Sequence, residues 1–324
     1  MTFVSVIIPT KGRAQAVAQC VRSVFDGSSQ QFEMFIIDQS ADDQTFDALA
    51  PFLSDTRFHY VRNQKTGVGA ASSRNMGIAM SQGEIIAILD DDVTAPSDWM
   101  ANIVAEFDAD PDLQFICGKL TAPPFDWRTQ YVPTFDPENT SEPLTNWTMP
   151  TFAAGANFSM RRALFDRVGG YDEFCGPGSR LGASDDGDLS FRIMRSGAKW
   201  KASTNVEVIH TNGIRQLTDG NALLQRYQRG VGGNYGRFTR RGDLLAGARF
   251  LAQQAGDILT VVIPNVMRGR RPTQFGWVRD RLVGFWRGLK LPPNEGFVSP
   301  KDLARMRAEY LATAPLGAPA GDAV

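Results

Sequence analysis

A short apolar run that ends in three consecutive aspartates constrains this chain more than any other feature. The run 85–89 follows Gly83, and its length and β-branched residues predict a buried strand. Asp90, Asp91 and Asp92 come directly after it. Three neighbouring carboxylates repel one another and resist burial unless a cation joins them. Because oxygen ligands suit hard divalent ions, the motif indicates Mg2+ or Mn2+ and a phosphate-bearing ligand; a solvated acidic turn is the alternative.

Strand and helix patterns alternate along the first 92 residues. Strand patterns occupy 3–10, 32–37, 58–61 and 85–89, and helical spacing occurs at 17–24 and 76–80. Such alternation with short connections predicts parallel βαβ units in an open sheet. Ligands of these sheets lie beyond the carboxyl ends of the strands. Since Thr10, Asp38 and the aspartate triplet all follow strands, we expect one crevice to gather them.

Eight motifs follow one another in an order that characterises one enzyme family. They are Val6-Ile7-Ile8-Pro9-Thr10, Asp38, Gly67 with Ser73-Arg74-Asn75, Leu89-Asp90-Asp91-Asp92, Gly155-Ala156-Asn157, Gly169-Gly170-Tyr171-Asp172-Glu173, Asp185-Asp186-Gly187-Asp188-Leu189 and His210. Together they resemble the family 2 inverting glycosyltransferases, which have the GT-A nucleotide-sugar-binding fold. The resemblance covers about 215 residues. It implies an α/β fold with a Rossmann-like open twisted sheet, mixed but mostly parallel, flanked by helices.

On the donor side, the resemblance implies a metal site for Mn2+ or Mg2+. Asp92 matches the metal ligand, and Asp90 matches a contact to the ion or the ribose. His210 resembles an additional metal or diphosphate contact of some relatives, although a structural histidine at a strand end is equally compatible with the sequence.

The resemblance also implies a site for a nucleoside diphosphate sugar, with a UDP-sugar favoured. Asp38 matches the carboxylate that binds the base, but Gln39 follows it where most relatives have a second acidic residue. The implied donor-binding residues are Pro9, Thr10, Arg13, Asp38, Arg74, Asp90 and Asp91. For Arg13 and Arg74, the alternative is an arginine on the helix surface.

On the acceptor side, the resemblance assigns the general base to Asp186. Asp185 stands where relatives usually have glutamate. An inverting reaction is a single displacement, so one base on the acceptor hydroxyl suffices. Ser184 is also a candidate helix N-cap, and aspartates favour the first turn of a helix for electrostatic reasons alone. The two interpretations are compatible.

The segment 121–151 is too long for a routine connection and is rich in proline. Its Trp127 and Trp147 are predicted either to stack on a sugar or to pin the loop to the core. With Asn157 and Asp185, they complete the predicted acceptor side.

Charge is distributed unevenly. Residues 1–219 contain 18 Lys+Arg and 28 Asp+Glu, whereas 220–290 contain 13 and 3. A helical apolar stripe runs through Leu244, Ala248, Leu251, Ala255, Ile258 and Val262. The amphipathic helices of this basic region are predicted either to pack on the catalytic domain or to rest on an anionic membrane. No recognisable nucleic-acid-binding module accompanies the arginines, so we expect no nucleic-acid partner.

The expected organisation is a catalytic domain at 1–219, a basic helical region at 220–314 and a disordered tail at 315–324. Within the catalytic domain, 1–118 form the nucleotide-sugar-binding half and 119–219 the acceptor-side half. Three cysteines without metal-ligand spacing predict reduced thiols, and the first strand leaves no room for a signal peptide. No apolar span of about 20 residues predicts a transmembrane helix. We therefore expect a cytoplasmic protein, either free or bound peripherally to the cytoplasmic face of the inner membrane.

The sequence thus predicts a metal-dependent inverting glycosyltransferase that acts on a hydroxyl of a glycan or lipid-linked glycan. Two alternatives remain open. One is a non-catalytic nucleotide- or carbohydrate-binding relative. The other is a sugar-1-phosphate nucleotidyltransferase, for which the segment Pro9–Arg13 is too short because those enzymes carry a long glycine-rich loop after the first strand.

Overall fold

A seven-stranded sheet forms the centre of the molecule. The computed structural model describes residues 2–65, 69–139, 155–269 and 273–313. The strand order is β3-β2-β1-β4-β7-β5-β8, with β6 and β9 forming a separate pair. Only β7 runs antiparallel to its neighbours in the large sheet. The strands are β1 (Val4–Thr10), β2 (Phe32–Asp38), β3 (Phe58–Arg62), β4 (Ile85–Leu89), β5 (Leu113–Thr121), β6 (Gln130–Tyr131), β7 (Asn157–Arg161), β8 (Lys199–Ile209) and β9 (Arg215–Gln216).

Helices connect and flank these strands, which confirms the predicted α/β class and the mixed, mostly parallel sheet. Short 3-10 turns occur at Ala50–Phe52, Pro137–Asn139 and Arg162–Leu164, and a π-helical turn at Ile258–Val262. The α-helices are α1 (Ala14–Phe25), α2 (Gln44–Leu49), α3 (Ala70–Met80), α4 (Trp99–Ala109), α5 (Phe165–Val168), α6 (Asp185–Arg195), α7 (Leu217–Arg240), α8 (Leu244–Asp257), α9 (Ile263–Met267), α10 (Thr273–Lys290) and α11 (Pro300–Thr313).

The register of the central strands places the predicted site at one edge of the sheet. β1 lies between β2 and β4, and Thr10 is paired with Asp38 across the β1–β2 ladder. The aspartate triplet continues directly from β4, whose residues are all buried. Parallel strands end at the same edge, so the residues that follow them share one crevice.

The C-terminal region packs onto the sheet domain. α7 begins before the predicted boundary at 219/220 and runs through it. Asp172, which is fully buried, accepts hydrogen bonds from Arg237 and Arg241 of this region, each at 2.7 Å. Farther along, α11 returns to α3, where Arg307 donates to the carbonyl oxygen of Ser81. No helix among the described residues is long and apolar enough to cross a membrane.

The three cysteines are buried and form no disulfide, as predicted for reduced thiols. The apolar stripe of α8 shows a different arrangement from that of an ordinary surface helix. Leu244 and Leu251 are 72% and 51% exposed, whereas Phe250 and Gln254 face inward. The part of the predicted stripe that lies on α8 therefore faces solvent, whereas Val262 beyond the helix is buried.

Candidate active site

Two of the three aspartates after β4 are held by residues at the end of β1. The hydroxyl of Thr10 donates to Asp91 at 2.7 Å. Nη1 of Arg13 donates to both Asp91 and Asp92, at 2.8 Å in each case. Burial raises the pKa of Asp91 to about 6 despite the Arg13 charge. The Asp91 carboxylate is therefore buried with only partial charge compensation, which favours binding of a cation.

The environment of His210 fits a cation beside Asp92. Nδ1 of His210 lies 2.9 Å from the carbonyl oxygen of Pro133, which can only accept, so Nδ1 carries the proton. Nε2 lies 3.2 Å from Oδ1 of Asp92, an oxygen that is buried without a regular hydrogen bond. When His210 is neutral, neither Nε2 nor the Asp92 oxygen carries a proton, and each presents a lone pair to the other. Burial lowers the pKa of His210, but the Asp92 carboxylate outweighs it and raises the pKa overall. The pair therefore needs either a proton or a metal ion between its atoms.

A different cluster brings three potential metal ligands, two carboxylates and a thiol, closer together. Among the described residues, Asp172, Cys175 and Asp188 are the one such group whose ligand atoms lie within 4.8 Å of one another. Their carboxylates are already neutralised, because Asp188 is bound by Arg192 at 2.7 Å and Asp172 by two further arginines. This cluster is a buried ion-pair network, whereas the predicted ligands Asp90, Asp92 and His210 surround the crevice less tightly.

Arg74 connects the donor and acceptor halves of the crevice. It lies on α3 and is only 7% exposed, which rules out an arginine on the helix surface. Nη2 donates to Asp90 at 2.7 Å, and Nη1 contacts Asp185. Gly176 makes room for Asp185, because a Cβ atom there would lie 2.6 Å from its Cγ. Arg74 therefore fixes the separation between the metal motif and the start of α6.

Asp186, the predicted general base, lies in the first turn of α6. Its two oxygens accept backbone N–H groups of Gly155 at 3.1 Å and Gly187 at 2.7 Å. Burial and the neighbouring Asp185 raise its pKa to about 7. Ser184 precedes the helix in the left-handed conformation, with φ 71°, and its side chain makes no capping hydrogen bond. A carboxylate with a pKa near neutrality is suited to accept a proton under physiological conditions.

A cavity of about 240 Å³ joins these groups. Its polar wall contains Arg74, Asp90, Asp185, Asp186 and His210. Its apolar wall contains, among others, Leu120, Tyr131, Leu224, Tyr227 and Val231.

A second, open cleft of about 750 Å³ lies on the other side of the aspartate motif. Arg13, Gln44, Asp92 and Asn212 are among its lining residues. Asp90 therefore lines the smaller cavity, and Asp92 lines the open cleft.

Two side chains that were predicted to contact ligands are instead hydrogen-bonded to other groups of the protein. The carboxylate of Asp38 is fully buried and accepts hydrogen bonds from Ser40 and from the Tyr60 hydroxyl, the latter at 2.7 Å. Asn157 is also fully buried. Its amide donates to the carbonyl oxygens of Lys119 and Val206, and its Oδ1 accepts from the Trp99 indole at 3.1 Å. Asn157 therefore ties β5, β7 and β8 together, and Asp38 organises the loop after β2.

The remaining predicted residues lie at different depths. Pro9 is buried within β1, one residue before Thr10. Trp127 is 69% exposed, stacks with Arg128 and does not line either cavity. Trp147 and Gly67 lie outside the described residues.

The sequence interpretation missed the contribution of α7. Leu224, Tyr227 and Val231 of this helix form part of the cavity wall opposite the carboxylates. The sequence feature that could have indicated this role is the set of four glycines at 230, 232, 233 and 236, which allow other backbone segments to approach α7 closely. A Cβ on Gly230 would lie 2.8 Å from the Ala183 backbone, just before α6. Arg215 was missed as well; after His210 and Arg13, its charge also lowers the pKa of Asp92.

Comparison with known proteins finds glycosyltransferases among those to which this chain is similar. The beta-monoglucosyldiacylglycerol synthase of Trichormus variabilis is 24% identical over 327 residues, which cover 90% of this chain and 65% of the synthase. The chain thus spans less than two thirds of that relative's length. The putative colanic acid biosynthesis glycosyl transferase WcaA of Escherichia coli is 26% identical over 224 residues, covering 67% of this chain and 75% of its own.

Among solved structures, the mannosyltransferase PcManGT from Pyrobaculum calidifontis, in complex with GDP-Man and Mn2+, superimposes with a TM-score of 0.54 and 16% identity. The match covers 99% of this chain and 76% of that one. The fold is accordingly of the GT-A type. The family model for glycosyl transferase family 2 matches residues 5–169, just over half of the chain. With the motifs and their placement around one crevice, this match shows that the chain belongs to glycosyl transferase family 2.

Proposed function

We propose that this protein is a metal-dependent, inverting glycosyltransferase that moves a sugar from a nucleoside diphosphate sugar to a hydroxyl of a lipid-linked glycan or related acceptor. The observation that carries the proposal is the 240 Å³ cavity, which Asp186 shares with Asp90 and Arg74. A proton acceptor thus faces the same small volume as the motif expected to hold the diphosphate. Such proximity is what a direct displacement requires.

In this proposal, Asp186 accepts the proton of the acceptor hydroxyl as that oxygen attacks the sugar. The two backbone N–H groups of Gly155 and Gly187 hold the carboxylate in place, and the raised pKa strengthens it as a base. The opposite face of the sugar carries the leaving diphosphate. One displacement with one base inverts the anomeric centre, and no enzyme nucleophile is needed.

The donor's diphosphate needs positive charge as it leaves. Arg74 provides a buried guanidinium on the cavity wall, and Arg13 provides a partly exposed one at the larger cleft. Asp92, with Asp90 and His210, would hold a divalent ion, since Asp92 Oδ1 has no regular hydrogen bond. Mn2+ or Mg2+ bound there would supply electrostatic stabilisation of the leaving group.

The nucleoside is proposed to occupy the 750 Å³ cleft beside Arg13 and the loop after β2. We retain a uracil base as the first candidate. Asp38 supports this site through Ser40, whose hydroxyl also accepts the Gly12 N–H at 2.8 Å. Asp38 thereby couples the two loops that flank the cleft, rather than presenting a free carboxylate.

A lipid-linked acceptor is favoured by the apolar wall of the smaller cavity. Leu224, Tyr227 and Val231 give it a surface more suited to a lipid-proximal sugar than to a highly hydrated polysaccharide. The similarity to a beta-monoglucosyldiacylglycerol synthase supports an acceptor that carries a lipid.

The test uses Asp186→Asn, with Asp166→Asn at an exposed position of α5 as the matched control. Purified protein is incubated with UDP- and GDP-sugars, Mn2+ and a lipid-linked acceptor, and the anomeric configuration of the product is read by NMR. We expect an inverted product and a loss of about 100- to 10,000-fold in turnover for Asp186→Asn alone.

Donor binding is followed by thermal unfolding with nucleoside diphosphates, with and without Mn2+. A ligand at about 100 times its Kd stabilises the protein by roughly 2.7 kcal/mol. Asp186→Asn should retain this shift. Normal transfer by that variant would contradict the base assignment, and no shift with any nucleotide would contradict the donor site.

A further inference from the structure

From α8 to α10, most of the large apolar side chains face solvent, while Phe250 and Phe285 pack inward. On α8, the inward positions include Ala246, Gly247, Phe250 and Gln254, two of them small and one polar. The pattern continues beyond α8, where Met267 is 82% exposed. The exposed apolar residues from α8 to α10 include Leu244, Leu245, Leu251, Leu259, Ile263, Val266, Met267, Phe275, Leu282, Val283 and Trp286.

α10 has the same inverted arrangement. Its buried positions include Val278, Asp280, Gly284 and Gly288, of which Asp280 and the two glycines contact α7. A Cβ atom on Gly284 would lie 2.0 Å from the carbonyl oxygen of Arg229, so the two backbones touch. Close packing through small residues, with large apolar residues outside, is the arrangement of helices whose outer surroundings are apolar.

An apolar groove of about 670 Å³ lies between the π-helical turn and α10. Ile258, Phe275, Leu282 and Trp286 line it, together with the basic side chains at its border. Soluble monomers rarely expose an apolar surface that extends over several elements, so this surface indicates a partner.

The charges around this surface identify the kind of partner. All three acidic residues of 220–290 are held in internal ion pairs, Asp243 with Arg195, Asp257 with Arg281 and Asp280 with Arg229. Among the described residues of this segment six basic side chains are exposed, and four of them, Arg268, Arg279, Arg287 and Lys290, lie beyond α8. Nζ of Lys290 lies 4.9 Å from the ring centre of Trp286, which combines an interfacial aromatic with a cation.

We propose that α8, α9 and α10 form a docking surface for an anionic lipid bilayer, called here the docking face and comprising the described residues 244–269 and 273–290. The apolar side chains would enter the interface, and the four basic residues would contact lipid phosphates. A second copy of the chain fits the face poorly, because pairing it with itself would bring like charges together. A bilayer with negative headgroups would bury the apolar side chains and pair with the basic ones.

α7 links the docking face to the active-site cavity. One side of the helix supplies Leu224 and Tyr227 to the cavity, while Gly232 and Gly236 contact the α10 backbone on the other. Docking would therefore place the cavity beside the membrane and its lipid-borne acceptors. That last step rests on the proposed function, whereas docking itself does not.

Vesicle co-sedimentation of the full chain tests the proposal. The vesicles contain either phosphatidylcholine alone or equal parts of phosphatidylcholine and phosphatidylglycerol. We expect binding to the anionic vesicles that weakens with salt. The double variant Arg287→Gln/Lys290→Gln should bind about 25-fold less well, since each basic residue near the surface contributes roughly fivefold.

A second variant, Leu259→Glu/Trp286→Glu, should lose binding by at least about tenfold. Leu311→Glu on α11 changes a similarly exposed leucine outside the docking face and should bind normally. Circular dichroism and the effect of Mn2+ with nucleotide on Tm show whether each variant is folded and retains its donor site. Absence of vesicle binding by the unaltered chain would overturn the proposal. So would concentration-dependent dimerisation that Leu259→Glu/Trp286→Glu abolishes while vesicle binding persists.

Discussion

Replacing Asp186 by asparagine should stabilise the protein at alkaline pH while abolishing transfer. The ordinary pKa of this carboxyl is 3.8, and burial with the Asp185 charge raises it to about 7 in the folded protein. The folded state therefore binds the proton more tightly than the unfolded chain. Its contribution to stability is complete below pH 3.8 and is lost as the pH rises to about 7.

The size of the effect follows from this difference in pKa. Each unit corresponds to about 1.4 kcal/mol, so ionisation of folded Asp186 costs up to about 4 kcal/mol. This is an upper limit because the side chain borders a cavity that admits water. Asparagine removes the charge, but its amide nitrogen cannot accept one of the two backbone N–H groups now bound. That loss costs about 1–2 kcal/mol, leaving a net gain of roughly 2 kcal/mol at pH 8.

Urea unfolding at pH 5 and pH 8 measures the difference. The advantage of Asp186→Asn over the unaltered protein should grow by up to about 2.5 kcal/mol between these pH values. Asp302→Asn is a control in which the pKa shift has the opposite sign, because hydrogen bonds from Ser299 lower the pKa of that carboxyl. Asp302 stabilises the fold above its unfolded pKa and loses this effect as the pH falls, so its replacement should weaken the protein at both pH values. A pH-independent difference for Asp186→Asn would refute the reasoning.

Three further perturbations test the framework around the site. Arg74→Gln should lower the free energy of unfolding by about 3 kcal/mol, because two carboxylates lose their buried partner; a loss below about 1 kcal/mol in urea unfolding would contradict the bridging role. Asp92→Asn should remove the additional thermal stabilisation that Mn2+ gives in the presence of a nucleoside diphosphate, and an unchanged metal response would exclude Asp92 as a ligand. Gly232→Ala should destabilise by about 3 kcal/mol or more in urea unfolding, since its Cβ would lie 1.9 Å from an α10 carbonyl oxygen. Gly256→Ala, with nothing within 4 Å, should stabilise slightly, and similar effects of the two would contradict the close helix packing.

The central sheet was predictable because its information is local. The run before Asp90 is short, rich in β-branched residues and preceded by Gly83, which favours a strand over a helix, and the alternation of strands and helices favours parallel pairing. Thr10, Asp38 and the aspartate triplet therefore had to meet at one edge of the sheet. What the sequence could not show is which atoms each side chain would contact there. Asp38 is as polar as Asp90, yet only the contacts of Ser40 and Tyr60 show that its carboxylate is occupied.

The sequence by itself determined the family and the parallel strand–helix framework, and it located an aspartate motif after one strand and a second acidic motif at a helix start. These depend on short patterns whose residues are neighbours in the chain. The tertiary structure alone decided three other features. It buried Arg74 between two carboxylates, brought α7 into the cavity wall and turned the apolar stripe of α8 outward. Periodicity shows that a helix has an apolar side. Whether that side faces the core or solvent depends on which elements pack against the helix. Those contacts join residues that are far apart in the chain.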